Sequence, residues 1–537
     1  MPSPASGKSL GKLIWWVALA LIFSWATWTR FSLPLDPVAD PDTWGYLSPA
    51  LQKLIGHGFQ HTGGRNYLYS AFLFVLLRIF GDFRAIAVIQ HLLGLVGGGL
   101  LLITWQRAHR FVPFSRFGDR VQIVLGLVLV AVFLLAGEPI RAEQEIRPEG
   151  ICAFLLSLNL YFSIEFLARA FVQPAKGTAL VGIGAGVSAM ILAAVKPSFV
   201  LLAVVPLAPI GIFFFVRQNP LRQKIVLALG LFVSALVVWL PEHFLSRDDD
   251  LSRMFLPTTL FVVHADLIRD QMEDDVRHSA HLPYPREWLQ RIQGQLADEL
   301  AKAGRSGPWR FPRLGFSPDY LMYGENAMAE QVARDLNYDV PRANAFYIFY
   351  YWRTWRERPF AMLKKIANQM GVFYAPLSPV YDRRKVIPLT VNYAIGSRSF
   401  DHPSYRPILN GYPPALELIR RNAALAESAP PIEQSRLIRL LVIFLAVAYL
   451  PLLALTLLIT AACLWRNFRK RVGWLVGLTL FIFAYNMAAC LEVAIIHTLD
   501  VPRYSTIQFC FTVLAEFLAV RVLLESGFAI YALPPAR

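Results

Sequence analysis

Tyr67-Leu-Tyr-Ser-Ala-Phe-Leu-Phe-Val-Leu-Leu-Arg78-Ile-Phe80 decides how this chain is threaded. The run is apolar, but it has only 14 residues and leads into Gly81-Asp82. A helix needs ~20 residues to cross a bilayer, so a shallow or interfacial helix is expected here. Apolar stretches nearer spanning length fall at 13–33, 85–105, 121–137, 150–168, 178–195, 198–216, 225–241, 437–464, 474–496 and 505–524. With 67–80 kept on one side and residue 1 in the cytoplasm, four compact basic loops face inward. They hold Arg107, Arg110, Arg116 and Arg120; Arg169 and Lys176; Arg217, Arg222 and Lys224; and Arg466, Arg469, Lys470 and Arg471. That is the distribution that orients membrane proteins. If 67–80 crossed, every later loop would invert.

Composition agrees. Hydrophobic residues make up 55% of the 537 and charged ones 17%, so most apolar side chains must face lipid or other helices. The net charge of +15 comes largely from those short loops. The one long polar stretch, 243–435, holds 24 Lys/Arg against 22 Asp/Glu, which leaves no footprint for nucleic acid. Cys152, Cys463, Cys490 and Cys510 lie in or beside apolar runs and read as small buried hydrophobes, not as disulfide partners or metal ligands. The lack of any Asn-x-Ser/Thr sequon points to a bacterial chain. Lys8 and Lys12 precede the first apolar run, whose length favours a retained anchor over a cleaved signal.

The expected architecture is an all-α polytopic membrane protein with about ten transmembrane helices, interfacial helices and a mainly helical extracytoplasmic loop domain. Residues 1–242 form an N-terminal transmembrane module with outward loops 34–84 and 138–149. Residues 243–435 form the loop domain, and 436–537 the closing spans. Leu47, Leu51, Leu54 and Ile55 share one helical face, as do Leu289, Ile292, Leu296 and Leu300. Residues 352–373 mix Trp352, Trp355, Leu363, Ile366 and Met370 with five basic residues, which suits a helix at headgroup level.

On this threading the outward side collects the polar chemistry. Asp36, Asp40 and Asp42 follow the first span, with Trp44 and Tyr46 beside them. They form either a solvated loop that caps a helix starting near Leu47, or carboxylates able to take a proton from an acceptor. Arg147 and Glu149 close a charged loop at a membrane boundary, and mutual salt bridging accounts for them as well as a charged pocket does. Lys196-Pro197 interrupts two apolar runs; the lysine either snorkels or binds an anionic headgroup. Glu492 precedes Asp500-Val-Pro-Arg503-Tyr504, where Arg503 offers a forked donor to phosphate unless Asp500 or Glu492 claims it. His264 is the weakest candidate, since most such histidines are polar loop residues.

In order and sidedness these residues resemble the GT-C superfamily of membrane glycosyltransferases, nearest the protein O-mannosyltransferase-type branch that includes the lipid A aminoarabinose transferases. The likeness covers roughly the first 200 residues and the Arg-Tyr turn. Asp42 and Tyr46 fit an acidic residue followed four positions later by Tyr. Arg65-Asn-Tyr-Leu-Tyr69 stands where many relatives carry Lys-Pro. Glu149 heads a span where relatives often have Asp-Pro, and Lys196-Pro197 and Arg503-Tyr504 match the remaining motifs. The resemblance implies inverting transfer of a sugar from a polyprenyl-phosphate donor to a glycan, lipid or protein acceptor outside the cytoplasm, in a bacterial inner membrane. Its catalytic carboxylates would be Asp42, Asp40 and Glu149, with Asp42 as base. Substrate would be bound by Arg65, Tyr46, Arg147, Lys196, His264, Glu492, Arg503 and Tyr504. No cofactor is assigned, and because metal dependence varies among relatives a divalent metal stays open. The competing classes are a ligase or polymerase of lipid-linked glycans and a transporter or flippase of glycolipids. The latter usually shows two similar halves, which are not visible here.

Overall fold

The computed structural model describes residues 6–60, 65–112, 118–247, 250–278, 282–306, 311–324 and 327–531. Arg116, expected in an inward loop, lies outside them. Eight described helices are long and apolar enough to cross a membrane. They are α1 (Ser6–Phe31), α4 (Arg84–Ala108), α7 (Glu149–Leu167), α8 (Thr178–Val195), α9 (Val200–Phe215), α10 (Leu221–Ser246), α21 (Arg436–Ala462) and α22 (Arg466–Ile496). Two more, α5 (Gly118–Leu135) and α6 (Gly137–Gln144), form a ninth unit bent by 42° at the break between them. The bend converts part of the expected charged loop 138–149 into a short helix.

The tenth expected span, 505–524, differs. A short α23 (Pro502–Thr506) precedes α24 (Phe509–Tyr531), an apolar helix set apart from the other spans by three charged residues, Glu516, Arg521 and Glu525. The physical reason is its position. It packs among α5, α7, α21 and α22, all three charges are buried, and Arg521 pairs with Glu525 at 2.7 Å. Protein, not lipid, surrounds it. By contrast α10 exposes Leu229, Phe232, Val233, Leu236 and Val237 along its length, as a lipid-facing helix does.

The deciding stretch is helix α3 (Tyr67–Phe80), which follows α2 (Thr43–Leu54). Its Tyr67 N–H donates to Glu242 at the end of α10 (2.8 Å), and its Leu77 carbonyl accepts from Tyr412 at 3.4 Å. Both ends therefore meet residues at or within the polar 243–435 segment, so the helix lies along one side of the bundle. The other side is marked by Glu165 near the far end of α7, where Arg107 (3.7 Å), Arg110 (3.2 Å) and Arg169 (2.7 Å) converge on one buried carboxylate. Sixteen residues of helix put Glu165 about 24 Å from Glu149, so the basic loops and the charged turn stand at opposite ends of α7.

Among the described residues, ten α-helices and one small ladder build the segment between α10 and α21. The first are α11 (Asp250–Val263), α12 (Ala265–His278), α13 (Arg286–Arg305), α14 (Pro318–Tyr323) and α15 (Met328–Asp335). They are followed by α16 (Val340–Glu357), α17 (Pro359–Phe373), α18 (Thr390–Ser399), α19 (Arg406–Gly411) and α20 (Pro413–Ser428). The stripe Leu289, Ile292, Leu296 and Leu300 is buried in a core that α11, α12 and α16 complete. The expected single helix over 352–373 is broken at Arg358-Pro359, as the missing proline N–H and its ring require. Beyond Phe373 the segment joins the main core of the spans through Val380, Tyr381, Phe400 and Leu409. Val386–Ile387 pairs antiparallel with Ile432–Glu433, which fastens the segment's return to α21.

Candidate functional site

Five connections between helices, together with α2, converge on a cavity of about 460 Å³. The loop before α2 supplies Asp40 and Asp42, and α2 itself supplies Tyr46. The segment before α3 supplies Arg65 and Asn66, and the turn between α6 and α7 supplies Arg147 and Glu149. Lys196, Pro197 and Ser198 come from the α8–α9 turn, and His497, Arg503 and Tyr504 from the α22–α24 connection.

The first of these loops is fixed by backbone pairing. Val38 N–H donates to the Gln144 carbonyl (2.8 Å), and Ile146 N–H donates to the Val38 carbonyl (2.9 Å). The Asp40 carboxylate then accepts the Asp42 N–H (3.0 Å) and the Thr43 hydroxyl (3.1 Å), an Asx-type turn that opens α2. The capping reading thus belongs to Asp40, and α2 begins at Thr43 instead of near Leu47. The Asp42 side chain makes no cap.

Asp42 is held by three arginines. Arg65 reaches it at 2.7 Å, Arg503 at 2.5 Å and Arg147 at 3.2 Å. Arg147 also pairs with Asp40 (2.5 Å) and Glu149 (3.5 Å), and Lys196 with Glu149 (2.8 Å). Burial pushes the Asp42 carboxyl upward, but Arg65, Arg503 and Arg147 outweigh it and hold it down at about 2. Asp40 goes the other way: burial raises it, and Arg147 offsets that only in part. His497, half-buried against Tyr504 with stacked rings 5.0 Å apart, is lowered to about 3 by desolvation and then by Lys196, Arg503 and Arg65. At neutral pH it is an uncharged ring amid cations.

The geometry leaves polar capacity unspent. Arg147 Nε, Arg503 Nε, Glu149 Oε2 and Ser198 Oγ are buried at the cavity with no hydrogen-bond partner. Arg65 lies against Gly45, where a Cβ would come within 2.9 Å of its Cγ, so the glycine makes room for the guanidinium. Arg65 also packs over the rings of Tyr46 (5.3 Å) and Phe255 (5.8 Å). Among the described residues no group of three or more His, Cys, Asp or Glu side chains could hold a metal ion. Here Arg147 bridges Asp40, Asp42 and Glu149 instead.

Two sequence candidates stand apart from this lining. His264 is fully buried with Nε2 at 2.9 Å from the Ile495 carbonyl, a tie between α11–α12 and α22. Glu492 accepts the Val200 N–H (3.2 Å) and the Leu201 N–H (2.7 Å), supplying acceptors for orphan donors at the start of α9. Trp44 also turns away and stacks on Tyr405 at 3.9 Å. The sequence reading missed one wall altogether: Phe255, Thr259, Val262 and Val263 of α11, with Pro318, Asp319, Met322 and Tyr323 of α14. Their spacing is that of ordinary amphipathic helices, so nothing local marks them. Asn66 and His497 were missed as well, although each adjoins a residue or motif that was singled out.

Fold and cavity define a polytopic helical membrane protein with an ion-paired, half-apolar chamber at one end of its spans. Among solved structures, the crystal structure of ArnT from Cupriavidus metallidurans bound to undecaprenyl phosphate is similar. It has 17% sequence identity over 89% of this chain and 77% of that one, with a TM-score of 0.32, too low for the likeness to bear on the site. No protein-family model matches the chain, and no curated protein matches it.

Proposed function

We propose that this chain is a glycosyltransferase that moves a sugar from a polyprenyl-phosphate-linked donor to a glycan, lipid or protein acceptor. The observation that carries the reading is one cavity lined both by Arg65, Arg147, Lys196 and Arg503, with Asp42 among them, and by apolar residues of α11 and α14. An amphiphilic phosphate ester fits both surfaces: guanidinium and ammonium groups for the phosphate, Phe255, Val262 and Met322 for the hydrocarbon. The family resemblance of Asp42, Tyr46, Glu149, Lys196 and Arg503 supplies the reaction type.

In this reading Asp42 takes the proton of the acceptor hydroxyl as its oxygen attacks the anomeric carbon. The bond from that carbon to the phosphate oxygen breaks with inversion, and its electron pair leaves on the phosphate. Arg65 and Arg503 stabilise that charge as it develops, with Lys196 behind them. Glu149 holds Lys196 and Arg147 in place, and Asp40 shapes the turn that presents Asp42. The basic loops at the opposite end of α7 support a cytoplasmic placement of that end, hence a periplasmic cavity in a bacterial inner membrane.

Asp42→Asn tests the reading. Transfer of sugar from a polyprenyl-phosphate donor should fall by about 10²–10⁴ while membrane insertion and yield are unchanged. Full transfer by that variant would remove the mechanism. A glycolipid flippase would instead keep moving lipid in both forms with no sugar transferred.

A further inference from the structure

Arg65 and Arg503 differ from the other two cations. Their side chains are 22% and 33% exposed, against 10% for Arg147 and 9% for Lys196. These two half-buried guanidiniums line the cavity, yet the ion pairs of both end on Asp42. Arg147 and Lys196 are pinned deeper, on Asp40 and Glu149. The groups best placed to receive a phosphate are thus the groups that neutralise the base.

Resting on the function proposed above, we infer that Arg65 and Arg503 hold Asp42 silent in the ligand-free site, and that the donor's phosphate frees it by taking over both guanidiniums. The exchange needs no large movement. Arg65 stays braced over Tyr46 and Phe255, Arg503 keeps the Tyr504 hydroxyl (3.2 Å), and Arg147 continues to hold Asp42 in position from behind. Arg503 also has a buried Nε without a partner. A carboxylate clamped by three guanidiniums is a poor proton acceptor at neutral pH; relieved of two of them, it returns toward the ordinary range. Donor would then bind before acceptor, and water entering an empty site would meet no active base.

Competition has a signature in binding alone. The full-length chain in nanodiscs is titrated with farnesyl phosphate, and with farnesol as the uncharged control. Removing the competing charge in Asp42→Asn should tighten farnesyl phosphate about fivefold or more, since its affinity is taxed by the fraction of guanidinium already engaged. Asp42→Ser should do the same and guards against a misfolded amide variant. Asp40→Asn, whose carboxylate pairs with Arg147 instead, should tighten it less than twofold, about the size of a general charge effect. Arg65→Gln and Arg503→Gln should weaken it.

Three outcomes overturn the inference. If both arginine variants weaken binding but neither Asp42 variant tightens it, the competition is absent while the lipid-phosphate reading stands. If Asp40→Asn tightens binding as much as Asp42→Asn, the effect is general electrostatics. If wild type prefers farnesol or binds neither ligand, the proposed function falls and the inference falls with it.

Discussion

Arg30, close to the end of α1, spreads its guanidinium over Glu143 (2.7 and 2.9 Å) and the Leu134 carbonyl (2.7 Å), and His91 Nδ1 meets the same carboxylate at 2.8 Å. Both charges are buried at the core of the bundle, where each is tolerable only because of the other. Arg30→Ala should therefore cost about 3–5 kcal/mol by stranding Glu143, read as a drop in thermal unfolding temperature of the detergent-solubilised chain. An unchanged temperature would mean that water reaches the carboxylate. At this scale the sequence was only partly readable. The types and order of Asp42, Arg65, Glu149, Lys196 and Arg503 stood out because charges near span ends are costly. What each side chain does was not legible, because partners of Asp42 stand 23, 105 and 461 residues away. Glu492 and Arg503 look alike on paper; one turns to backbone donors and the other to the cavity.

Among the elements, the α8–α9 turn shows how a helix start sets a side chain. Glu492 on α22 accepts the first two N–H groups of α9, and the short turn Pro197–Phe199 carries that register back to Lys196. Glu492 is thus a positioning residue in the proposed reaction. Glu492→Gln, which replaces one acceptor oxygen by a donor, should lower kcat roughly 10-fold through misplacement of Lys196, with KM for the acceptor unchanged. Loss of folded protein in place of that split would make its role structural only. The elements themselves were largely legible from hydropathy. Two of the departures, the break at Pro359 and the interior α24, have separate causes. Proline chemistry is local and could have been read. Burial of Glu516, Arg521 and Glu525 depends on four neighbouring helices and could not.

For the molecule as a whole, orientation is the decisive property, and it rests on α3 lying along one side. Exposed Lys53, within the segment 34–84 expected to face outward, and exposed Lys176 among the basic loops are fit reporters. With Cys463 replaced by Ser, an impermeant thiol reagent added to intact cells should label Lys53→Cys and spare Lys176→Cys. The reverse pattern would place the cavity in the cytoplasm. Shape at this scale was the least legible level, because residues 243–435 read as one loop region. In the structure their first part keeps its own core, and the rest merges with that of the spans.

The contact between Arg503 and Asp42 also sets a timetable. At about 5–20 residues per second, roughly 20–90 s of synthesis separate the two side chains. Asp42 gains its first partner, Arg65, within a few seconds and Arg147 within roughly 5–20 s, and those two hold it until Arg503 is made. A chain still on the ribosome therefore has a paired Asp42 carboxylate but an unfinished cavity wall. On the function proposed above, transfer waits until Arg503 has been made and has met Asp42.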